Sequence, residues 1–434
     1  MKLLYISLIL SLLWLLPLEA SEKQKKPIPD PLSLNEALVF SEHPHPVLSI
    51  ANLRVQSALN SKSEAESTTD FNAYFEGRLR YVEPSSVSSD KTHDDHRAAI
   101  ILSKTLSDFG RSDSAIESSE YSLKVAEIKR KRLIVSRRLE IMQKFFDVIL
   151  ADMNFYRYNE ELATAFVKLD KLRDRRELGQ VSDLDIMQQD VVFRKVSYLH
   201  KKSENEQRIT RAKLAVAMGR PGELVVTVSK PKLPQINLKL LEVEELSKIA
   251  FKNNYELLAL QSKLEAARAK VEFARKKDGP SLNLEAGSYA YSRERANRDE
   301  LQVGLVLRVP LTDGSRTDVA VAKALNQVHL IQSDIEHVKT KVSASILTLS
   351  LEMDALRRKL TQMQTLTEYR ELYLDRSRAL YEMEVKTDLG DSMVRISEAE
   401  HNLLKAEYEM MLVLTKLELE VGQSLENITK GKGQ

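Results

Sequence analysis

Leu102-Ser103-Lys104-Thr105-Leu106-Ser107-Asp108-Phe109-Gly110-Arg111 returns 205 positions later (307 − 102) as Leu307-Arg308-Val309-Pro310-Leu311-Thr312-Asp313-Gly314-Ser315-Arg316. Each copy closes an extended stretch and opens a run free of Pro and Gly, so each marks a joint where a strand becomes a helix. The match extends in both directions. Ala58 and Ala65 stand in a helical stretch like the one that holds Ala267 and Ala274, and Tyr81 falls near the place of Tyr291. The chain therefore repeats one order of elements: helix, strand, loop, strand, long helix, turn, helix.

Downstream of the joints, residues 111–178 and 315–384 contain neither Pro nor Gly. Leu162, Ala165, Phe166, Leu169 and Leu172 keep one apolar face at helical spacing. At 1.5 Å per residue such a helix spans on the order of 100 Å, beyond any ordinary globular domain. The shorter helices have about half that span, so two placed end to end line one long neighbour. Ser33 and Glu36 form a capping box that opens one predicted to run to Thr68, and Asp183 is the expected cap of another that Gly219 and Pro221 stop. In the last helix Ile396, Ala399, Leu403, Ala406, Met410, Val413 and Leu417 step by three and four, the seam of a coiled coil.

Upstream of the joints, Phe71, Ala73, Phe75, Gly77, Leu79 and Tyr81 alternate with Asn72, Tyr74, Glu76, Arg78 and Arg80. Leu301, Val303, Leu305, Leu307 and Val309 alternate with Gln302, Gly304, Val306, Arg308 and Pro310. A period of two with one apolar face is what a strand between lipid and a wet lumen needs. The other two segments alternate less well: Leu282, Leu284, Ala286, Ser288 and Ala290 form a weak face, and residues 97–106 carry apolar Ala99 and Ile101 on both registers. Alternation alone equally suits a strand of a soluble sandwich. The arrangement favours a barrel, because both hairpins are flanked by helices too long for a sandwich. Four strands cannot close a barrel, and an open edge cannot sit in lipid, so the protomer must oligomerise to insert.

Lys2, the apolar residues 3–16 and Leu18-Glu19-Ala20 read as an export signal cleaved before Ser21. No later apolar run is long enough for a membrane-spanning helix. With 65 Lys+Arg against 63 Asp+Glu the net charge is +2, so no global field recruits nucleic acid. The chain has no Cys, which removes disulfides and thiolate chemistry. No Gly-rich phosphate loop or H-E-x-x-H spacing occurs, so no catalytic, cofactor or metal site is predicted. The tetrad His93-Asp94-Asp95-His96 has metal-ligating side chains but lies in a long polar loop, residues 83–96, and reads as a solvated tip.

In element order and joint residues the chain resembles the TolC family of outer-membrane efflux and secretion channels. The residues that carry the resemblance are Pro46-Val47-Leu48, residues 106–111 and 311–316, and the helix-turn-helix tip Leu178-Gly179-Gln180-Val181-Ser182-Asp183-Leu184-Asp185. The resemblance implies an α+β membrane protein with long antiparallel coiled-coil helices forming an α-barrel. It also implies a homotrimer sharing one twelve-stranded β-barrel in outer-membrane lipid, docked to a periplasmic adaptor (membrane fusion) protein and an inner-membrane pump or exporter. By position the adaptor-contacting tips are Gly179, Gln180, Val181, Ser182 and Asp183, with Glu384, Val385, Lys386 and Thr387. Glu384 stands where the family usually has Gly. The family's entrance aspartates fall here on Gly390 and Met393, so Asp388 and Asp391, three apart on one face, are the candidate constriction.

The expected layout is a signal peptide over 1–20 and a first repeat over 21–219, with hairpin 71–107, long helix 111–178 and helix 183–219. A linker over 220–240 leads to a second repeat over 241–423, with hairpin 281–310, long helix 315–384 and helix 387–423, and a polar tail over 424–434. The alternative function is a non-channel periplasmic coiled-coil protein with a structural or adhesive role.

Overall fold

The computed structural model describes residues 27–88, 90–223, 225, 227–232, 240–293, 298–383, 385 and 389–424. The expected signal segment 1–20, most of the linker, Glu384, Lys386, Thr387, Asp388 and nearly all of the tail lie outside these residues.

The capping box of Ser33 and Glu36 is formed, and it opens only a short helix, α1 (Leu34–Val39), continued by one 3-10 turn over Phe40–Glu42. The single helix expected to reach Thr68 is broken, because Pro44 and Pro46 each lack an N–H and push the residue before them out of the helical region. His45 accepts from the Val47 N–H through Nδ1 and caps a second helix, α2 (Pro46–Ser67), with Pro46 at its first position. Strands β1 (Asn72–Arg78) and β2 (Arg97–Ser107) follow, then α3 (Arg111–Glu177, 67 residues) and α4 (Asp183–Ala217). The second half gives α5 (Val243–Asn253), α6 (Tyr255–Arg275), β3 (Ser281–Tyr291), β4 (Leu301–Arg308), α7 (Arg316–Glu382, 67 residues) and α8 (Leu389–Val421).

Both joints use the same device. Phe109 and Gly110 in one, Gly314 and Ser315 in the other, take positive φ and swing the chain out of the strand. Asp108 then accepts from the Ser112 N–H at 2.8 Å, and Asp313 from the Thr317 N–H at 2.7 Å, satisfying first-turn donors of α3 and α7.

Long helix α3 packs against α2, α4, α6 and α8, while α7 packs against α6 and α8. In each repeat a break between two shorter helices sits beside the glycine that ends the tip-side helix. Gly219 (φ +78°) lies against Pro44 and His45, and Gly422 (φ +74°) against Asn253 and Asn254. Asn254 caps α6 through Oδ1 and ties it to α8 by donating from Nδ2 to the Glu420 carbonyl at 2.7 Å. Arg137, buried in mid-α3, donates to the carbonyls of Phe40 and Ala217 and so fastens α3 to the first of these breaks.

The core has two clusters. One runs along α5 to α8 through Leu246, Leu257, Ile331, Ile346, Met353, Met410 and Leu417. The other, around Leu32, Phe145, Phe146, Leu214 and Met218, receives Tyr408 of α8, which stacks on Phe146 at 4.0 Å. Each such buried side chain contributes about 1.5–3 kcal/mol. Within the coiled-coil seam Ile396, Ala399, Ala406, Met410, Val413 and Leu417 are buried; Leu403 is half-buried because Leu404 takes the inner position.

The strands form one antiparallel sheet in the order β1-β2-β3-β4. The hairpins pair with each other through β2 and β3, so within the protomer the sheet is open at β1 and β4.

Candidate functional site

The sheet register sorts every strand residue onto one of two faces. Ala73 pairs with Leu102, Leu102 with Ala286 and Ala286 with Val303; the next rows are Phe75, Ile100, Ser288 and Leu301. Apart from Ser288 and Lys104 on the two central strands this face is apolar, and it is unpacked: Phe75 and Val303 are each 70% exposed. Such a patch on a soluble surface is a liability, whereas facing lipid it is required. The opposite face carries Asn72, Tyr74, Glu76, Arg78, Asn283, Glu285, Gln302 and Arg308. Arg97 pairs there with Glu76 and lies over the Tyr289 ring at 5.5 Å. Ala99 and Ile101, which blurred the alternation of β2, belong to this inner face: Ala99 sits opposite Tyr289, and Ile101 opposite Gly287.

Beyond the strands the two hairpin loops are bound together. Asp95 is 3% exposed and accepts from Arg80 of its own hairpin and from Arg298 of the other, the latter at 2.8 Å. Arg293 is buried and donates to Asp90 at 2.9 Å. His93 stacks on Tyr81, and His96 Nδ1 accepts from the Arg80 N–H. Asp95 is therefore a structural tie, since the arginines that bury it come from both hairpins, while His93 and Asp94 are exposed as the polarity of the loop predicts. The two guanidinium groups hold the Asp95 carboxyl down at about 2, from an ordinary 3.8. A carboxyl lowered on folding stabilises the loops above its unfolded value, and this contribution is lost as pH falls through about 2. Asp95→Asn is expected to remove it at every pH, making amide exchange at Val82 and Asp95, whose N–H groups donate to His93 and Arg80, roughly tenfold faster at neutral pH. Unchanged exchange would contradict the tie.

At the far end, α3 closes on Gly179 in a left-handed turn, with Gly179 N–H donating to Arg176 and Gln180 N–H to Arg175. The cap of α4 is Ser182, not the expected Asp183: Ser182 and Asp185 form a capping box, and Asp183 instead pairs with Arg176 across the turn at 2.6 Å. An Asp at the third helical position satisfies both partners of the box, which leaves its neighbour free for the ion pair. Gln180, Ser182 and Asp183 are exposed and Val181 is half-buried, with exposed Leu178 and Leu184 beside them. Of the second tip only Val385 is described, and it is exposed.

Asp391, in the first turn of α8, is not a free carboxylate. Lys168 of α3 donates to its Oδ1 at 2.7 Å. Arg157 pairs with Glu398 at 3.5 Å, and Ser397 donates to Glu160 at 2.7 Å, so three polar contacts hold the start of α8 on α3. Gly390 belongs to the same seam. A Cβ there would come within 2.9 Å of Thr164 Oγ1, so a side chain at that position would require Thr164 to shift. A cavity of about 440 Å³ opens behind this contact, lined by Arg157, Lys168, Gln189, Asp391 and Arg395. Sequence separation hid the pair, since Lys168 and Asp391 lie 223 positions apart.

The chain thus pairs an open four-stranded sheet, apolar on one face, with helices about 100 Å long, and comparison with known proteins recovers the same combination. Residues 246–423, most of the second repeat, match the model of the outer membrane efflux protein family. Solved structures share the fold over both repeats. The outer membrane protein VceC from Vibrio cholerae superposes with a TM-score of 0.71 at 15% identity, covering 91% of this chain and 97% of that one. The Campylobacter jejuni CmeC outer membrane channel superposes with a TM-score of 0.73 at 12% identity, covering 92% and 87%. Among curated sequences, Protein CyaE of Bordetella pertussis is 22% identical over 265 residues, 60% of this chain and 56% of that protein. The match thus spans little more than half the length of that relative.

Proposed function

We propose that the protein is the outer-membrane channel component of a tripartite efflux or type I secretion assembly. Three copies close a twelve-stranded barrel in the outer membrane, and their helices form a conduit through the periplasm for substrate delivered by an inner-membrane pump. The observation that carries this reading is the predominantly apolar face extending across all four strands of a sheet with two free edges, which neighbouring copies of the same sheet would complete. The tips around Gln180 and Val385 are the surfaces offered to a periplasmic adaptor, and the start of α8, with Asp388 and Asp391, frames the entrance.

In this reading the Lys168–Asp391 pair holds the entrance narrow. An exposed pair contributes only about 0–1 kcal/mol, but threefold symmetry repeats it, and the resulting total of up to about 3 kcal/mol per trimer shifts an open–closed equilibrium by up to roughly 150-fold. Asp391→Asn and Lys168→Met are each expected to raise conductance in planar bilayers, and the double variant to add little to either single. If Asp391→Asn raises conductance while Lys168→Met leaves it unchanged, a ring of free carboxylates, not the pair, narrows the pore. No conductance from the parent protein, together with its recovery as a monomer in detergent-free buffer, would overturn the channel reading in favour of a soluble coiled-coil protein.

A further inference from the structure

The lipid-facing surface of the sheet carries one charged exception to its apolar character. Lys104 of β2 stands in a row with Leu284 and Leu305, and the next row is Leu102, Ala286 and Val303. Among the described strand residues it is the one charged side chain on this face. Its ammonium lies 4.6 Å from the centroid of the Phe71 ring, and among the described residues no carboxylate pairs with it. The cations of the nearby joint are committed: Arg111 pairs with Asp108, and Lys276 donates to the Gly110 carbonyl. The repeat shows that the fold does not demand a cation here, because the position matching Lys104 is Val309 (104 + 205), which is exposed.

Depth decides what an unpaired cation on such a surface meets. Lys104 lies three residues from the end of β2, the end that turns into α3 and the periplasm. Three residues are about 10 Å of strand, and less in depth once the strand tilts in a barrel. An extended lysine covers that distance, laying its stem along Phe71 and its ammonium at the level of the headgroups. An aromatic ring beside a lysine at one rim is the usual interfacial pairing, but the ammonium still lacks an anion.

We propose that Lys104 is a lipid-binding residue, its ammonium donating to the phosphate of a glycerophospholipid in the periplasmic leaflet while the acyl chains lie on Phe71, Leu284 and Leu305. This rests on the barrel reading above. A headgroup fits better than a free phosphate because the same-face neighbours of Lys104, Phe71, Leu102, Leu284 and Leu305, are apolar, and acyl chains cover them.

The test uses the full trimer extracted from outer membranes, stripped of lipid in detergent and offered dioleoylphosphatidylglycerol or dioleoylglycerol, with bound lipid counted by native mass spectrometry. The parent protein and Lys104→Arg should retain the phospholipid about fivefold better than the diacylglycerol, and Lys104→Met should lose that preference. Millimolar inorganic phosphate should not displace the lipid. An unchanged preference in Lys104→Met, equal retention of the two lipids by the parent, or displacement by inorganic phosphate would each overturn the proposal. Equal retention of the two lipids by the parent overturns the proposal even if Lys104→Met fails to assemble, and in that case Lys104→Gln carries the residue-specific comparison with the same expected loss of preference. A trimer that inserts without headgroup preference removes only this inference, whereas a protein that never enters membranes removes the barrel reading itself.

Discussion

Leu305→Arg is expected to abolish the membrane-inserted trimer. Leu305 lies midway along β4 on the outer face, pairs with Leu284 and is 64% exposed. An arginine facing the middle of a bilayer costs about 2–4 kcal/mol, so three symmetry-related copies cost roughly 6–12 kcal/mol, comparable to the whole stability of a typical domain. Gln302→Arg, three residues away on the inner face of the same strand, meets water and should be tolerated. The comparison is read as heat-labile trimer in outer-membrane fractions. Equal recovery of both variants would mean that the exposed face does not meet lipid.

Gly422→Ala has the next largest expected effect, and it acts on the shaft. Gly422 holds φ at +74°, and a methyl there would run into the Asn253 carbonyl at the break between α5 and α6. The left-handed conformation costs a non-glycine residue about 1–2 kcal/mol, and forcing atoms into a filled site typically about 1–3 kcal/mol, together about 2–5 kcal/mol. Gly179→Ala isolates the first contribution: φ is +68°, and nothing lies within 4 Å of the added methyl. The two variants should therefore separate in thermal unfolding, Gly422→Ala being clearly the less stable. Equal losses would mean that the junction yields and does not brace the two halves of each repeat.

These two sites show what kind of information the sequence carried. The outer face of β4 was readable from Leu301 to Val309 because lipid demands apolarity at every second residue and the lumen asks only for something else. β2 was harder to read, because its inner face hides Ala99 beneath Tyr289 and Ile101 beside Gly287, and only the register discloses that they are not lipid-facing. The length of α3 and α7 followed from the absence of Pro and Gly. The break before α2 was also written in Pro44 and Pro46, but the capping box at Ser33 suggested one continuous helix.

Contacts between distant segments were not legible. Asp95 looks like a solvated acid until Arg298, from the other hairpin, is brought to it, and Asp391 looks like a free ring carboxylate until Lys168 arrives from α3. Sequence periodicity reports which face of an element is buried. It does not report which charge a neighbouring element supplies.

The closure of the barrel across protomers is tested most directly by disulfide trapping between the two free edges. The chain has no cysteine of its own, so paired substitutions in β1 and β4, such as Ala73→Cys with Val303→Cys, scanned along the register, give an unambiguous readout. Within one protomer β1 and β4 are separated by two intervening strands, about 14 Å, well beyond the roughly 7 Å limit for a disulfide, so any bond must join two copies. Oxidation in intact outer membranes should produce a covalent trimer for at least one register. Monomer at every register, in a protein that still fractionates with the outer membrane, would contradict the shared barrel.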